Sequence, residues 1–175
     1  MKIIIFLDGS PESLVATELA SKLASEGKHT LHAETLIDHS LIRALTGFQG
    51  YAGLCGSGVF LEAHDKIERA LRELKESILM SFAARTEGKG FSVECGTKEG
   101  NWKELIDSMS SPEVIHVLTE EMLSSKKVSC PTIVIANKGR LELLGTGNLT
   151  SYLLNFLDRN FPELEVGLPR LMEVA

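Results

Sequence analysis

Cysteine is scarce in this chain. Only Cys55, Cys95 and Cys130 occur, an odd number, far apart, with no Cys-x-x-Cys spacing. That excludes a disulfide-stapled scaffold or a zinc ribbon and fits free thiols in a reducing cytoplasm, the compartment expected here. Long apolar runs are also missing. The run at residues 3–7 is shorter than a secretory core and is followed at once by a turn, and no window approaches the ~18 apolar residues of a membrane span. Positive charge is in deficit, with 18 Lys and Arg against 24 Asp and Glu and a net charge of -6. A nucleic-acid surface needs clustered cations to meet phosphates, so neither nucleic acid nor membrane insertion is expected. No His-Glu-x-x-His or Gly-x-Ser-x-Gly element exists, and His32, His39, His64 and His116 show no metal-ligand spacing. Neither metal-ligating nor catalytic residues are therefore expected.

What is present begins with Ile3-Ile4-Ile5-Phe6-Leu7, five apolar residues rich in β-branching. They read as a strand buried on both faces, the centre of a parallel sheet. Asp8-Gly9 turns the chain, Ser10 is placed to cap a helix, and Pro11 suits its first position. A carboxylate, a glycine and a hydroxyl thus reach the carboxyl edge of the sheet, where open α/β sheets bind ligands. Leu14, Val15, Leu19 and Leu23 form the apolar stripe of a first helix that Gly27 stops, and Thr30 to Ile37 is the second strand.

Residues 39–59 interrupt the pattern. A short helix is expected over His39 to Leu45, after which Gly47, Gly50, Gly53 and Gly56 recur with no charge between them. Such a loop is either an apolar contact surface or a nest of amides able to hold a phosphate. Phe60 to Arg85 reads as a long amphipathic helix, with Phe60, Ile67, Leu71, Leu74, Ile78, Leu79 and Phe82 on its apolar face. Phe91 to Cys95 is expected as a third strand, with Gly96 to Gly100 as its exit loop. Asn101 then caps a short helix bearing Trp102, Leu105, Ile106 and Met109. Val114 to Leu118 and Thr132 to Ala136 complete five strands. Alternating strands and helices predict a doubly wound, flavodoxin-like or Rossmann-like parallel sheet. The domain is expected over 1–137, with the Gly-rich insertion at 39–59. An extension over 138–175 carries a helix that starts at Asn148 or Thr150.

The opening strand with Asp8-Gly9-Ser10 resembles the start of universal stress proteins. Leu31 to Asp38 is similar to that family's second strand, and Ser129 to Ile135 to its last. The resemblance implies a flavodoxin-like sheet, a homodimer and, in some branches, an ATP site. It places Asp8 near adenine and ribose, and the backbone of Ile37 beside the base. ATP-binding members carry a glycine-rich phosphate loop after the fourth strand. Here residues 119–129 contain no glycine and include Glu120 and Glu121, which would repel a triphosphate. A second alignment sets the phosphate loop at Gly139 to Thr146, makes 132–136 the fourth strand and Val166 to Leu168 the last.

The candidate nucleotide-binding set is accordingly Asp8, Gly9, Ser10, Ile37, Gly47 and Gly50. The competing structural role for Asp8 and Ser10 is to satisfy the turn and the helix amides with no ligand. Three functions follow. The first is a non-catalytic regulatory or interaction protein with a degenerate site, no cofactor, and a protein partner on the loop or tail. The second is an ATP- or AMP-binding stress sensor whose phosphates sit on residues 47–58 or 139–146. The third is a nucleotide hydrolase, against which stands the lack of a base-and-nucleophile constellation.

Overall fold

The computed structural model describes residues 1–40, 42, 57–123, 128–136, 140–145, 148–162 and 166–167. Strand β1 (Lys2–Leu7) leads through helix α1 (Pro11–Gly27) to β2 (Thr30–Ile37). Helix α2 (Ser57–Thr86) leads to β3 (Val93–Glu99), and α3 (Trp102–Ser108) leads to β4 (Val114–Thr119). A single 3₁₀ turn, Glu120–Met122, precedes β5 (Thr132–Ile135). The chain then adds β6 (Leu141–Leu144), α4 (Asn148–Asn160) and β7 (Val166–Gly167). The strand order is β3-β2-β1-β4-β5-β6-β7. β1 to β5 are parallel, β6 runs antiparallel to β5, and β7 runs parallel to β6. The doubly wound class is as expected, and the 3-2-1-4-5 order is that of the Rossmann arrangement.

β1 lies at the centre because alternate residues feed both layers of core. Ile3, Ile5 and Leu7 enter a cluster with Leu19, Leu23, Phe82 and Phe156, while Ile4 and Phe6 enter a second one with Leu105, Ile106 and Met122. Residues of α1, α2 and α4 all belong to, or pack on, the first cluster. The second is met by α3 and the 3₁₀ turn. This thin layer follows from the short β4–β5 connection, which among the described residues carries no α-helix.

Several expectations are corrected. The sheet has seven strands rather than five, and β6 breaks its parallel run. The boundary expected at residue 137 falls between two adjacent strands, and Leu141, Leu143, Leu153, Phe156 and Leu157 share the β1 core. Glu26 ties α4 to α1 by accepting from Arg159 and from Asn160 (2.9 Å), and the Lys22 ammonium lies 4.5 Å from the Phe161 ring centre. Residues 141–144 form a strand, so the second alignment of the phosphate loop fails; Val114–Thr119 is the fourth strand. β3 begins at Val93 and runs through Gly96, which was expected to start a loop. Leu14 and Leu74 are about half exposed and lie outside the stripes assigned to them. α1 ends on Lys28 in the left-handed conformation (φ 50°), with Gly27 its last helical residue. The expected helix over His39 to Leu45 lies mostly outside the described residues.

If α4 belongs to the same cooperative unit as β1, Phe156→Ala costs about 3–5 kcal/mol in one urea transition. Two separate transitions in the wild type would contradict the shared core.

Candidate functional site

β1 and β4 are neighbours, yet the chain leaves β1 toward β2 and returns later on the other side. Their carboxyl ends therefore flank a switch point, the crevice where open α/β sheets receive ligands. Asp8 and Thr119 meet there.

Asp8 Oδ1 accepts from the Ser10 amide (2.8 Å), the Ser10 hydroxyl (2.6 Å) and the Ser13 hydroxyl. Asp8 Oδ2 accepts from the Thr119 hydroxyl at 3.0 Å. Ser13 Oγ also accepts from the Asp8 amide (3.3 Å), and Ser10 Oγ caps α1 by accepting from the Ser13 amide (3.3 Å). The carboxylate thus closes a ring among β1, the first turn of α1 and β4. Burial works to raise the Asp8 carboxyl, but the hydrogen bonds from Ser10, Ser13 and Thr119 outweigh it and hold the group below its ordinary 3.8.

α2 lies over this corner. Lys75 Nζ donates to the Asp8 carbonyl at 3.3 Å, and burial pushes its ammonium down while the Asp8 charge partly restores it. Gly9 has φ +92°, and a Cβ there would come within 2.8 Å of Ile78 Cδ1. Its conformation favours glycine, and a side chain there would also make the tip of Ile78 shift.

Of the residues singled out from the sequence, Asp8, Gly9 and Ser10 share this corner. Ile37 ends β2 at 1% exposure, and its carbonyl accepts from the Gly100 amide at 3.2 Å. Gly47 and Gly50 lie outside the described residues. Ser13, Lys75 and Thr119 were missed. Ser13 was in principle legible, since it stands three residues beyond the cap. Lys75 and Thr119 are joined to Asp8 only through the tertiary fold.

The histidines fall elsewhere. His39 contacts Glu99 at 3.0 Å, and His64 lies 3.9 Å from Glu68 on the same helix. His116 is fully buried on β4, with Nδ1 3.2 Å from Cys130 Sγ and Nε2 3.3 Å from the Met109 carbonyl. Burial pushes the imidazole down to about 4 and the Cys130 thiol up, so the pair is a neutral hydrogen bond rather than a thiolate–imidazolium couple. Among the described residues, no three His, Cys, Asp or Glu side chains gather to hold a metal ion, and no helix is long and apolar enough to cross a membrane.

No protein-family model matches the chain, and no curated protein matches it. Solved structures do. The hypothetical protein MJ0577, whose biochemical function was assigned from its structure, is 15% identical over 78% of this chain and 96% of its own, with a TM-score of 0.57. A universal stress protein in complex with cAMP is 13% identical, covers 78% of this chain and 96% of its own, and has a TM-score of 0.49. Universal stress protein UspA from Lactobacillus plantarum is 16% identical over 96% of each chain, at a TM-score of 0.41. Universal stress proteins are thus among this chain's structural neighbours, as the sequence resemblance implied, and at these identities the likeness is one of fold.

The buried His116 and the partly buried Asp8 divide the pH dependence of stability. His116 takes up a proton near 6.5 when unfolded and near 4 when folded, so stability falls as pH drops between those values. The loss is on the order of 3 kcal/mol, and His116→Gln flattens the profile in that window. Asp8 has the lower pKa in the folded state. Its contribution is complete above 3.8 and disappears as pH falls through the folded value. Asp8→Asn therefore costs about 1–3 kcal/mol at neutral pH and little in strong acid. Urea unfolding from pH 7 to pH 3 reads both, and unchanged profiles in the two variants would contradict these assignments.

Proposed function

We propose that the chain is a universal-stress-protein-like regulatory protein that works by binding and self-association rather than turnover, and that its nucleotide site is degenerate. The observation that carries this reading is the Asp8 carboxylate, whose two oxygens accept from Ser10, Ser13 and Thr119 of the same chain. To take a ribose hydroxyl it would have to release one of these donors, and each is at least half-buried where it stands. The stretch after β4 adds to the argument. A phosphate loop offers glycine amides, whereas here Thr119 leads straight into a 3₁₀ turn with two exposed acids, Glu120 and Glu121. The neutral Cys130–His116 pair supports a role without turnover, because it holds no activated thiolate. A homodimer, a cytoplasmic location and a part in stress response rest on the resemblance and the fold.

A second reading keeps the nucleotide. It is favoured by the position of Asp8 at the switch point and by Lys75, whose ammonium stands over the same corner. On this reading ATP or AMP would bind there, with its phosphates on a segment other than residues 119–123.

Thermal unfolding with ATP, ADP or AMP and Mg²⁺ separates the two. A degenerate site gives no rise in Tm at millimolar nucleotide. A ligand at ~100 times its Kd would add roughly 2.7 kcal/mol, a shift of several degrees for a chain of this size. Such a shift, lost in Asp8→Ala, would establish the sensor instead.

A further inference from the structure

On the thin face of the sheet, β2 presents His32, Glu34 and Leu36, the alternates of the residues that enter the β1 core. Glu34 is only 2% exposed. Gly96, its partner in the β2–β3 ladder, leaves the space that the carboxylate fills, since a Cβ there would lie 2.6 Å from Oε1. Glu34 Oε1 lies 2.6 Å from His32 Nε2, and Oε2 has no hydrogen-bond partner among the described residues. On the other side of the ring, His32 Nδ1 lies 2.9 Å from Glu94 Oε2, which also accepts from Lys2 Nζ at 3.0 Å. A row of polar groups from β1, β2 and β3 thus leads from the solvent to a buried carboxylate.

The geometry of this row fixes a proton count. An ionised carboxylate can only accept, and a neutral imidazole carries one N–H for two ring nitrogens. Both nitrogens of His32 face carboxylate oxygens, so two protons are needed to make both contacts hydrogen bonds. One lies on Nδ1, toward Glu94. The other lies between His32 Nε2 and Glu34 Oε1, and it belongs to the pair whichever atom carries it. Without it, a nitrogen lone pair stands against a carboxylate oxygen. Glu34 is then a buried charge with no donor on either oxygen among the described residues, which strongly disfavours the closed arrangement.

The charges around the pair do not replace that proton. They are Lys2 from β1, Glu94, Lys98 and Glu99 from β3, and Glu104 from α3. Lys2 is taken by Glu94, and Glu99 by Arg72 (2.6 Å) and His39 (3.0 Å). Lys98 lines the same cavity as Glu34 but leaves Oε2 without a donor. The strand that depends on the pair is β3, which ends the sheet and has a strand neighbour on one side only.

We propose that the proton shared by His32 and Glu34 is a latch on β3, which holds this edge strand closed on β2 and releases it as pH rises. The closed ladder binds one proton more than the open one in the alkaline range, where a free imidazole and a free carboxyl have both lost theirs, so closure weakens with rising pH. The latch stands apart from the nucleotide corner and does not depend on it.

The test is amide hydrogen exchange of the full chain by NMR, from about pH 6 to about pH 9, corrected for the intrinsic rate at each pH. Protection of Val93–Glu99 should fall by about tenfold or more across that range, and that of Val114–Thr119 on β4 should not. His116, on that reference strand, titrates near 4 and stays uncharged throughout. Glu94 is half exposed, and Glu94→Gln makes both contacts without the second proton, its amide donating to Nδ1 while Nε2–H donates to Glu34. This variant should keep β3 protected at the alkaline end. Glu34→Gln, whose amide donates to Nε2, should do the same. His39→Gln, at the other end of β3, should leave the wild-type profile as it is. No fall in the wild type, a fall shared equally by β4, or the same fall in Glu94→Gln would overturn the proposal. A fall abolished by His39→Gln would overturn it in favour of the His39–Glu99 contact. If Glu34→Gln does not fold, Glu94→Gln still decides.

Discussion

The hydrogen bonds converging on the Asp8 carboxylate organise the carboxyl edge of this sheet. They come from Ser10 and Ser13 at the start of α1 and from Thr119, 111 residues away at the end of β4. A carboxylate at the beginning of a helix is favoured by the free amides and by the dipole, and here the same group also spans the gap between two central strands. Because it is partly buried, each donor matters more than it would at the surface. The direction in which α1 leaves β1, and hence the placing of Leu19 and Leu23 on the core, depends on this ring.

From that centre the molecule is built unevenly. Among the described residues, α1, α2 and α4 pack on one face, and α3 and a 3₁₀ turn on the other. A seven-residue helix covers the middle of a sheet but not its flank. On the flank β2 can hold a polar row, His32 and Glu34, where a thicker layer would demand apolar residues. β3, the edge strand, carries Glu94, Lys98 and Glu99, charges that oppose pairing with another chain.

Much of the architecture was legible because the signals were local. The run of residues 3–7, the Ser10-Pro11 start of α1, the Asn101 cap and the apolar periodicity of α2 each act within a turn or two of chain. Asn101 Oδ1 does accept from the Glu104 amide, at 2.9 Å. What was missed depended on distant partners. Gly96 reads as a strand breaker until Glu34 is seen opposite it, and Leu141–Leu144 is too short and too mixed to announce an antiparallel edge strand. The corner of the candidate site was visible as Asp8-Gly9-Ser10, but nothing in the order of residues joins it to Lys75 or Thr119. Lys28 takes the left-handed position at the helix end, and Gly27 instead leaves room for the His29 ring, which a Cβ on residue 27 would meet.

The central claim is that Asp8 is committed to its own chain and not held for a ligand. The direct measurement is the titration of its side-chain carboxyl carbon by NMR, with and without Mg²⁺ and ATP. The account predicts a midpoint below 3.8, with a resonance that nucleotide does not move near neutral pH. A midpoint at or above 3.8, or a saturable displacement of the resonance by nucleotide, would contradict it.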